Sequence, residues 1–261
     1  MRTICFLNLK GGVAKSTSVI NLADQLARAG KKVLVVDADS QCNTTEFFGA
    51  DKMIVCGSLY SILTRPHTDV DAYCMSCICV VRDNLHVIPA SHKMMELDLT
   101  AITAKQVFPA SLREFLLMLA ETEDVPYDFC LIDCPPGFTA SCTAGLMAAD
   151  EVIIPSTQDA FSLSGMTHMM AQIVSMRKIN PRLRLLGVLL TMAVKNDILD
   201  KAQSALQESK IPVLYPMIPA SEKVGGMTWE REPLSTYSPR SGPGRAYRIL
   251  AQRLIGGVVH G

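Results

Sequence analysis

Residues 10–17 read Lys10-Gly11-Gly12-Val13-Ala14-Lys15-Ser16-Thr17, and what surrounds them decides the fold. Upstream, Thr3–Leu9 is rich in apolar residues, has strand length and leads straight into the glycine pair. Downstream, Val19, Ile20, Ala23, Leu26 and Ala27 recur at helical spacing, which predicts a helix over Ser16–Ala29 that stops at Gly30. Lys32–Val36 then reads as a second buried strand closed by Asp37. Strand, glycine-rich turn, helix and strand within the first 40 residues form the unit of a parallel sheet with a right-handed crossover.

The alternation continues along the chain. Strands are expected at Leu85–Pro89, Phe129–Ile132 (ending on Asp133 and stopped by Pro135-Pro136-Gly137), Glu151–Ile154, Leu183–Leu190 and, as a last edge strand, Val213–Ile218. Helices are expected at Ser111–Glu121, Thr139–Ala149, Leu163–Arg177, Ile198–Glu208 and Ala246–Ile255. No linker or low-complexity stretch interrupts them. The expectation is one α/β domain over residues 1–261, a doubly wound, mostly parallel sheet with helices on both faces. An apolar fraction of 49% with only 6% aromatics suits an aliphatic core of that kind.

Lys plus Arg and Asp plus Glu are both 25, so no global basic field advertises nucleic acid, and any such contact must come from a local patch. The nine cysteines are an odd number, no secretory signal opens the chain, and no stretch reaches the roughly 18 apolar residues of a membrane span. These features read as a cytoplasmic protein with reduced thiols.

Gly11 and Gly12 let the backbone turn tightly and bring N–H groups against phosphate oxygens, and the helix N-terminus adds its positive dipole end. Lys15 supplies a point charge to the β- and γ-phosphates, and Ser16 is placed to ligate Mg²⁺. The common motif opens on glycine where this chain has Leu9, adds no lysine at Lys10, and has glycine rather than Ala14 before the second lysine. Asp37 and Asp39 close the second strand and Asp133 closes the Phe129–Ile132 strand. In a parallel sheet those ends share an edge with the phosphate loop, so the three carboxylates converge on Mg²⁺ and the γ-phosphate.

Lys10-Gly-Gly-x-x-Lys15-Ser16-Thr17 resembles the deviant Walker A motif of the ParA/MinD group of ATPases. Val36–Asn43 resembles the second acidic motif of Soj-type ParA proteins, Leu131–Gly137 their Walker B strand and turn, and Ala148–Pro155 their next strand. Leu189–Met192 and Pro233–Tyr247 are also similar, so the resemblance runs nearly end to end.

The resemblance implies roles residue by residue. Lys10 is the signature lysine that reaches across a dimer interface, Lys15 binds the β/γ-phosphates, Ser16 the Mg²⁺ and Thr17 the α-phosphate. Gly11, Gly12, Val13 and Ala14 complete the nucleotide loop. Asp39 orients the attacking water, Asp37 and Asp133 support hydrated Mg²⁺, and Thr191, Met192 and Pro219 lie near the adenine. It further implies a slow ATPase that closes with ATP and Mg²⁺ into a homodimer, binds DNA non-specifically in that state, and is released by a ParB-like DNA-binding partner that stimulates hydrolysis. The expected location is the cytoplasm, nucleoid-associated when ATP is bound, with plasmid, chromosome or mobile-element partition as the task.

Ala14 decides how vigorous the chemistry is: at φ > 0 its Cβ strains the loop by about 1 kcal/mol or more, at negative φ it costs little. Two alternatives are a MinD-like membrane-associated positioning ATPase and a weakly hydrolysing or non-hydrolysing dimer switch. The tail Leu250–Gly261 breaks at Gly256-Gly257 and carries one Arg, which favours DNA over stable membrane insertion. The chain starts at its first strand, so an operator-reading extension is not expected. Two basic sets are candidate DNA contacts: Arg177, Lys178, Arg182 and Arg184, and, preferred, Arg231, Arg240, Arg245 and Arg248. Cys74, Cys77 and Cys79 lack a second ligand pair and read as packing thiols, as does Cys134, while His67, His86 and His92 fit no finger spacing.

Overall fold

The structure, a computed structural model, describes residues 1–53, 57–65, 75–97, 107–121, 127–160, 165–257 and 259–260. One sheet of seven strands organises them: β1 (Arg2–Phe6), β2 (Val33–Asp37), β3 (Cys79–Arg82), β4 (Leu85–Ile88), β5 (Phe129–Asp133), β6 (Glu151–Ser156) and β7 (Arg184–Leu190), in the order β3-β4-β2-β5-β1-β6-β7. Every neighbouring pair is parallel except the β3–β4 hairpin at one edge.

Helices cover both faces, because the strands are apolar on both sides. Ile4, Phe6, Val33, Val35 and Leu131 face one layer, packed with α1 (Lys15–Arg28), α9 (Leu234–Tyr237) and α10 (Gly242–Gly256). Cys5, Leu34, Val36 and Ile132 face the other, with α3 (Leu59–Leu63), α4 (Ala110–Glu121), α5 (Ala140–Ala148), α6 (Met166–Met176) and α7 (Asp197–Glu208). Alternate residues of each strand thus serve opposite layers, as the period of two requires. Two further α-helices among the described residues are α2 (Asn43–Phe47) and α8 (Lys223–Glu230).

Two expectations needed correction, and further elements were not expected. Val213–Ile218 is not a strand: it touches β7 through an isolated Val188–Val213 bridge, and the Ile218 N–H reaches the Leu190 carbonyl at 2.8 Å. Pro212 and Pro216 cannot donate, so no continuous ladder forms along this edge. Strand β3 was not expected, being four residues at an edge with Val80 60% exposed. Helix α8 carries Gly225-Gly226, against helix propensity. Helix α10 starts before Ala246, at Gly242, where the Ser241 hydroxyl accepts the Gly244 N–H at 3.2 Å. Helix α6 is described from Met166; the expected Leu163 start, like Cys74 and His67, lies outside the described residues.

Met166 and Met169 sit in the core, as does Cys134, whose sulfur lies 3.1 Å from that of Cys5. The C-terminal segment folds back on the body. Leu250, Ala251 and Leu254 are buried among the residues of α1, and the Tyr215 N–H donates to the Val259 carbonyl at 3.1 Å. No helix among the described residues is long and apolar enough to cross a membrane.

Candidate functional site

The strand order places β5 between β2 and β1, with Asp37 level with Asp133 and Phe6 level with Asp133. The turn that leaves β1 and the carboxylates that end β2 and β5 therefore come from three adjacent strand ends, about 5 Å apart at each step.

Gly12 (φ 74) and Ala14 (φ 60) both take the left-handed conformation, curling the backbone into the concave N–H nest that anions occupy. Asn8 secures the entrance: its Nδ2 donates to the Pro155 carbonyl at 2.7 Å and its Oδ1 accepts the Lys10 N–H at 2.9 Å. The Thr191 hydroxyl secures the middle, 3.1 Å from the Val13 carbonyl. Lys15, which opens α1, folds over the loop and donates to the carbonyls of Asn8 and Lys10, each at 3.3 Å. These bonds are long, and burial lowers the Lys15 pKa against the opposing charges of Asp133 and Asp39. The ammonium is held in place by weak contacts that a phosphate can displace.

Ala14 is thus the strained case. An L-residue in this region costs about 1–2 kcal/mol, so Ala14→Gly is expected to stabilise the protein by about 0.5–1 kcal/mol after the larger chain entropy of glycine is subtracted. Urea unfolding measures it, and a destabilised glycine variant would count against the strain.

The acidic side is built by the segment between β2 and α2. Asp37 accepts the Thr45 N–H at 2.8 Å and hydroxyl at 2.6 Å on one oxygen and the Asp39 N–H at 3.1 Å on the other. Its carboxylate shapes this loop. Burial raises its pKa above the ordinary carboxylate value, the charge of Asp133 adding to the rise and the Thr45 and Asp39 bonds opposing it. Asp133 accepts the Thr44 hydroxyl at 2.7 Å on Oδ2. Its Oδ1 is buried without a hydrogen bond, although the Ser16 hydroxyl is close enough to lower the carboxyl's pKa. Burial still raises it on balance. Asp39, 8% exposed, holds the Gln41 N–H at 2.9 Å and faces the cavity.

The cavity encloses about 650 Å³ and is lined by Gly11, Gly12, Ala14, Lys15, Ser16, Thr17 and Asp39, with Glu46 of α2 and Thr228 and Arg231 at the end of α8. A second, more apolar hollow of about 310 Å³ shares Ala14, Thr17 and Met192 with it and adds Thr191, Pro219, Val224 and Tyr247. Phosphate loop and expected adenine wall are therefore contiguous. Hydrated Mg²⁺ fits the donors present: an open buried carboxylate oxygen on Asp133, the Ser16 hydroxyl and Asp39, all oxygen ligands suited to a hard cation. Such a cation supplies charge neutralisation of polyphosphate oxygens.

Lys10 stands at the rim and does not line its own cavity. Its ammonium lies 3.0 Å from both carboxylate oxygens of Asp159, which the Thr157 hydroxyl also bonds. Asn8, Thr44, Thr45 and Asp159 were not anticipated. Asn8 and Asp159 follow the ends of β1 and β6 on the loop side, which is the signal the sequence offered, whereas Thr44 and Thr45 lie in the first turn of α2.

The basic sets are placed unequally. Arg184 is tied to the buried Glu151 at 2.6 Å, beside Arg2, and serves the sheet edge. Arg240, Arg245 and Arg248 are exposed, whereas Arg231 lines the cavity.

The family model described as AAA domain matches residues 1–185. The chain is 31% identical over 258 residues to the chromosome partitioning protein ParA of Caulobacter vibrioides, covering 98% of this chain and 94% of that protein. It belongs to the ParA/Soj/MinD family of P-loop ATPases. Its architecture is similar to cobyrinic acid a,c-diamide synthase of Mycobacterium smegmatis with a bound ATP analogue and magnesium (TM-score 0.79, 26% identity, 98% and 94% covered). It is likewise similar to the septum site-determining protein MinD of Pyrococcus horikoshii complexed with Mg-ADP (TM-score 0.73, 25% identity, 97% and 95% covered). Membership in the ParA/Soj/MinD family points to a partition or positioning ATPase.

Proposed function

We propose that this chain is a ParA-type ATPase for DNA segregation. It binds ATP with Mg²⁺, closes into a homodimer, holds DNA non-specifically in that state, and lets go when a ParB-like partner stimulates hydrolysis. The observation that carries the reading is the placement of Lys10. A signature lysine that stands outside its own cavity, paired with a half-exposed carboxylate, is suited to entering the cavity of a facing copy.

Within the site, positioning and charge neutralisation are the means of catalysis. Lys15 and the loop N–H groups hold the β/γ-phosphates and Thr17 the α-phosphate; Ser16 and Asp133 would hold hydrated Mg²⁺, and Asp37, whose oxygens accept from Thr45 and the Asp39 N–H, supports it through the loop that carries Asp39. Asp39, anchored by the Gln41 N–H, orients the attacking water. Thr191, Met192 and Pro219 form the adenine wall. Turnover is slow, in keeping with a loop whose Ala14 backbone is strained.

DNA is favoured over a membrane surface because the apolar side of α10 is already packed on α1, and because Arg240, just before it, and Arg245 and Arg248 in its first half stand exposed. Sedimentation with DNA at saturating ATP tests this. Retention is expected with ATP and lost with ADP, with affinity falling about fortyfold or more between 50 and 200 mM salt, as three or more phosphate contacts per bound protein require. Pelleting with anionic vesicles in place of DNA would move the reading to the MinD-like branch. ATP-dependent dimerisation without turnover would make the chain a switch that does not hydrolyse.

A further inference from the structure

Arg231 ends α8 with φ 54 and ψ 37, a left-handed position that glycine fills without strain. An arginine there places a guanidinium on the wall of the nucleotide cavity, opposite Glu46 of α2, which lines the same wall. The two charges are 3.8 Å apart and both side chains are about half exposed (48% and 49%). Such a pair is long, solvated and weak.

The place of Arg231 relative to the phosphate loop is fixed by Asn21, which is 1% exposed on α1. Its Nδ2 donates to the Thr17 carbonyl at 2.8 Å, and its Oδ1 accepts the N–H of Leu234, three residues beyond Arg231, at 2.9 Å. The same Nδ2 lies 3.3 Å from the sulfur of Met227, inside α8. One buried amide thus ties the last loop residue to the segment on both sides of Arg231. The charges lining the cavity are Lys15 and Arg231 against Asp39 and Glu46. A polyphosphate entering there meets Glu46 as a repulsive group unless its neighbour is a cation.

We propose that Arg231 is a nucleotide-contact residue whose guanidinium leaves Glu46 for the polyphosphate of the bound nucleotide. This rests on reading the cavity as a nucleotide site, and it moves Arg231 out of the DNA-contact set. Arg240, Arg245 and Arg248 do not line the cavity and keep that role. Charge-assisted guanidinium–phosphate contacts are bidentate, so lysine retains the charge and loses the fork.

The test is calorimetric titration of wild type, Arg231→Ala, Arg231→Gly, Arg231→Lys and Lys15→Ala with Mg-ATP and Mg-ADP, without DNA. Arg231→Ala and Arg231→Gly are expected to weaken both nucleotides about tenfold or more, with Arg231→Lys between them and wild type. The melting midpoint of nucleotide-free Arg231→Gly is expected to match or exceed wild type, because glycine relieves the backbone. That separates lost contact from lost structure. Affinities of Arg231→Ala within twofold of wild type overturn the proposal, as does a loss of ATP-state DNA retention with nucleotide affinity intact. If Lys15→Ala also binds normally, the nucleotide reading of the cavity itself fails.

Discussion

Lys15→Ala is expected to weaken Mg-ATP binding by about a hundredfold and to bring turnover to background, because it removes the one cation seated within the phosphate loop. The ammonium is buried, and its bonds to the Asn8 and Lys10 carbonyls are at 3.3 Å, so it is only partly satisfied without a phosphate. A charge-assisted bond to phosphate is worth about 1.5–3 kcal/mol net, and two such bonds account for a loss of two decades or more. The fold is expected to persist. Burial already disfavours the charged form of Lys15, and alanine removes that desolvation cost while Asp133 and Asp39 lose a neutralising neighbour. The opposing terms leave stability within about 1 kcal/mol of wild type. Calorimetry gives the affinity and thermal unfolding the stability. A folded Lys15→Ala chain that binds ATP like wild type would remove the basis for placing phosphate in this loop.

Much of the site was legible because a parallel sheet converts sequence order into geometry. Once Thr3–Leu9, Lys32–Val36 and Phe129–Ile132 are read as strands, the loop after the first and the carboxylates after the others must share one edge. The register Asp37–Asp133 is that inference made concrete. What the sequence did not disclose are the groups whose role depends on tertiary partners. Thr44 and Thr45 are unremarkable polar residues until α2 starts beside two buried carboxylates and their hydroxyls become the obvious donors. Arg231 reads like the arginines that follow it in sequence, and only its place at the end of α8, on the cavity, sets it apart from the exposed Arg240, Arg245 and Arg248. The edge elements were missed for a different reason. Four-residue β3 and the glycine pair of α8 carry weak local preference and are held by packing, which propensity cannot show. Conversely, Val213–Ile218 has the apolar content of a strand and fails as one because two prolines remove the donors a ladder needs.

Lys10→Ala is the other large effect, and it should appear only when two copies meet. Lys10 does not line the cavity of its own chain, so Mg-ATP affinity of the monomer is expected to change by no more than about threefold, and its pair with Asp159 is of the weak, surface kind. Dimerisation is another matter. At a closed interface the lysine would face the partner's phosphates with water excluded, where a charge-assisted contact is worth about 1.5–3 kcal/mol, and a symmetric dimer makes it twice. The variant should therefore need at least about a hundredfold more protein to dimerise with ATP, and its ATP-state DNA retention and turnover should fall with the dimer. Asp159→Asn supplies the contrast. It relaxes the hold on the lysine, which is 45% exposed and paired at 3.0 Å with a carboxylate 40% exposed. Pairs of that kind are worth roughly 0.2–1 kcal/mol, so dimerisation should become easier by no more than a few-fold. Light scattering at saturating ATP across a protein concentration series separates the cases. A Lys10→Ala chain that dimerises with ATP as readily as wild type would mean that Lys10 completes no partner site and that its contacts lie within its own chain.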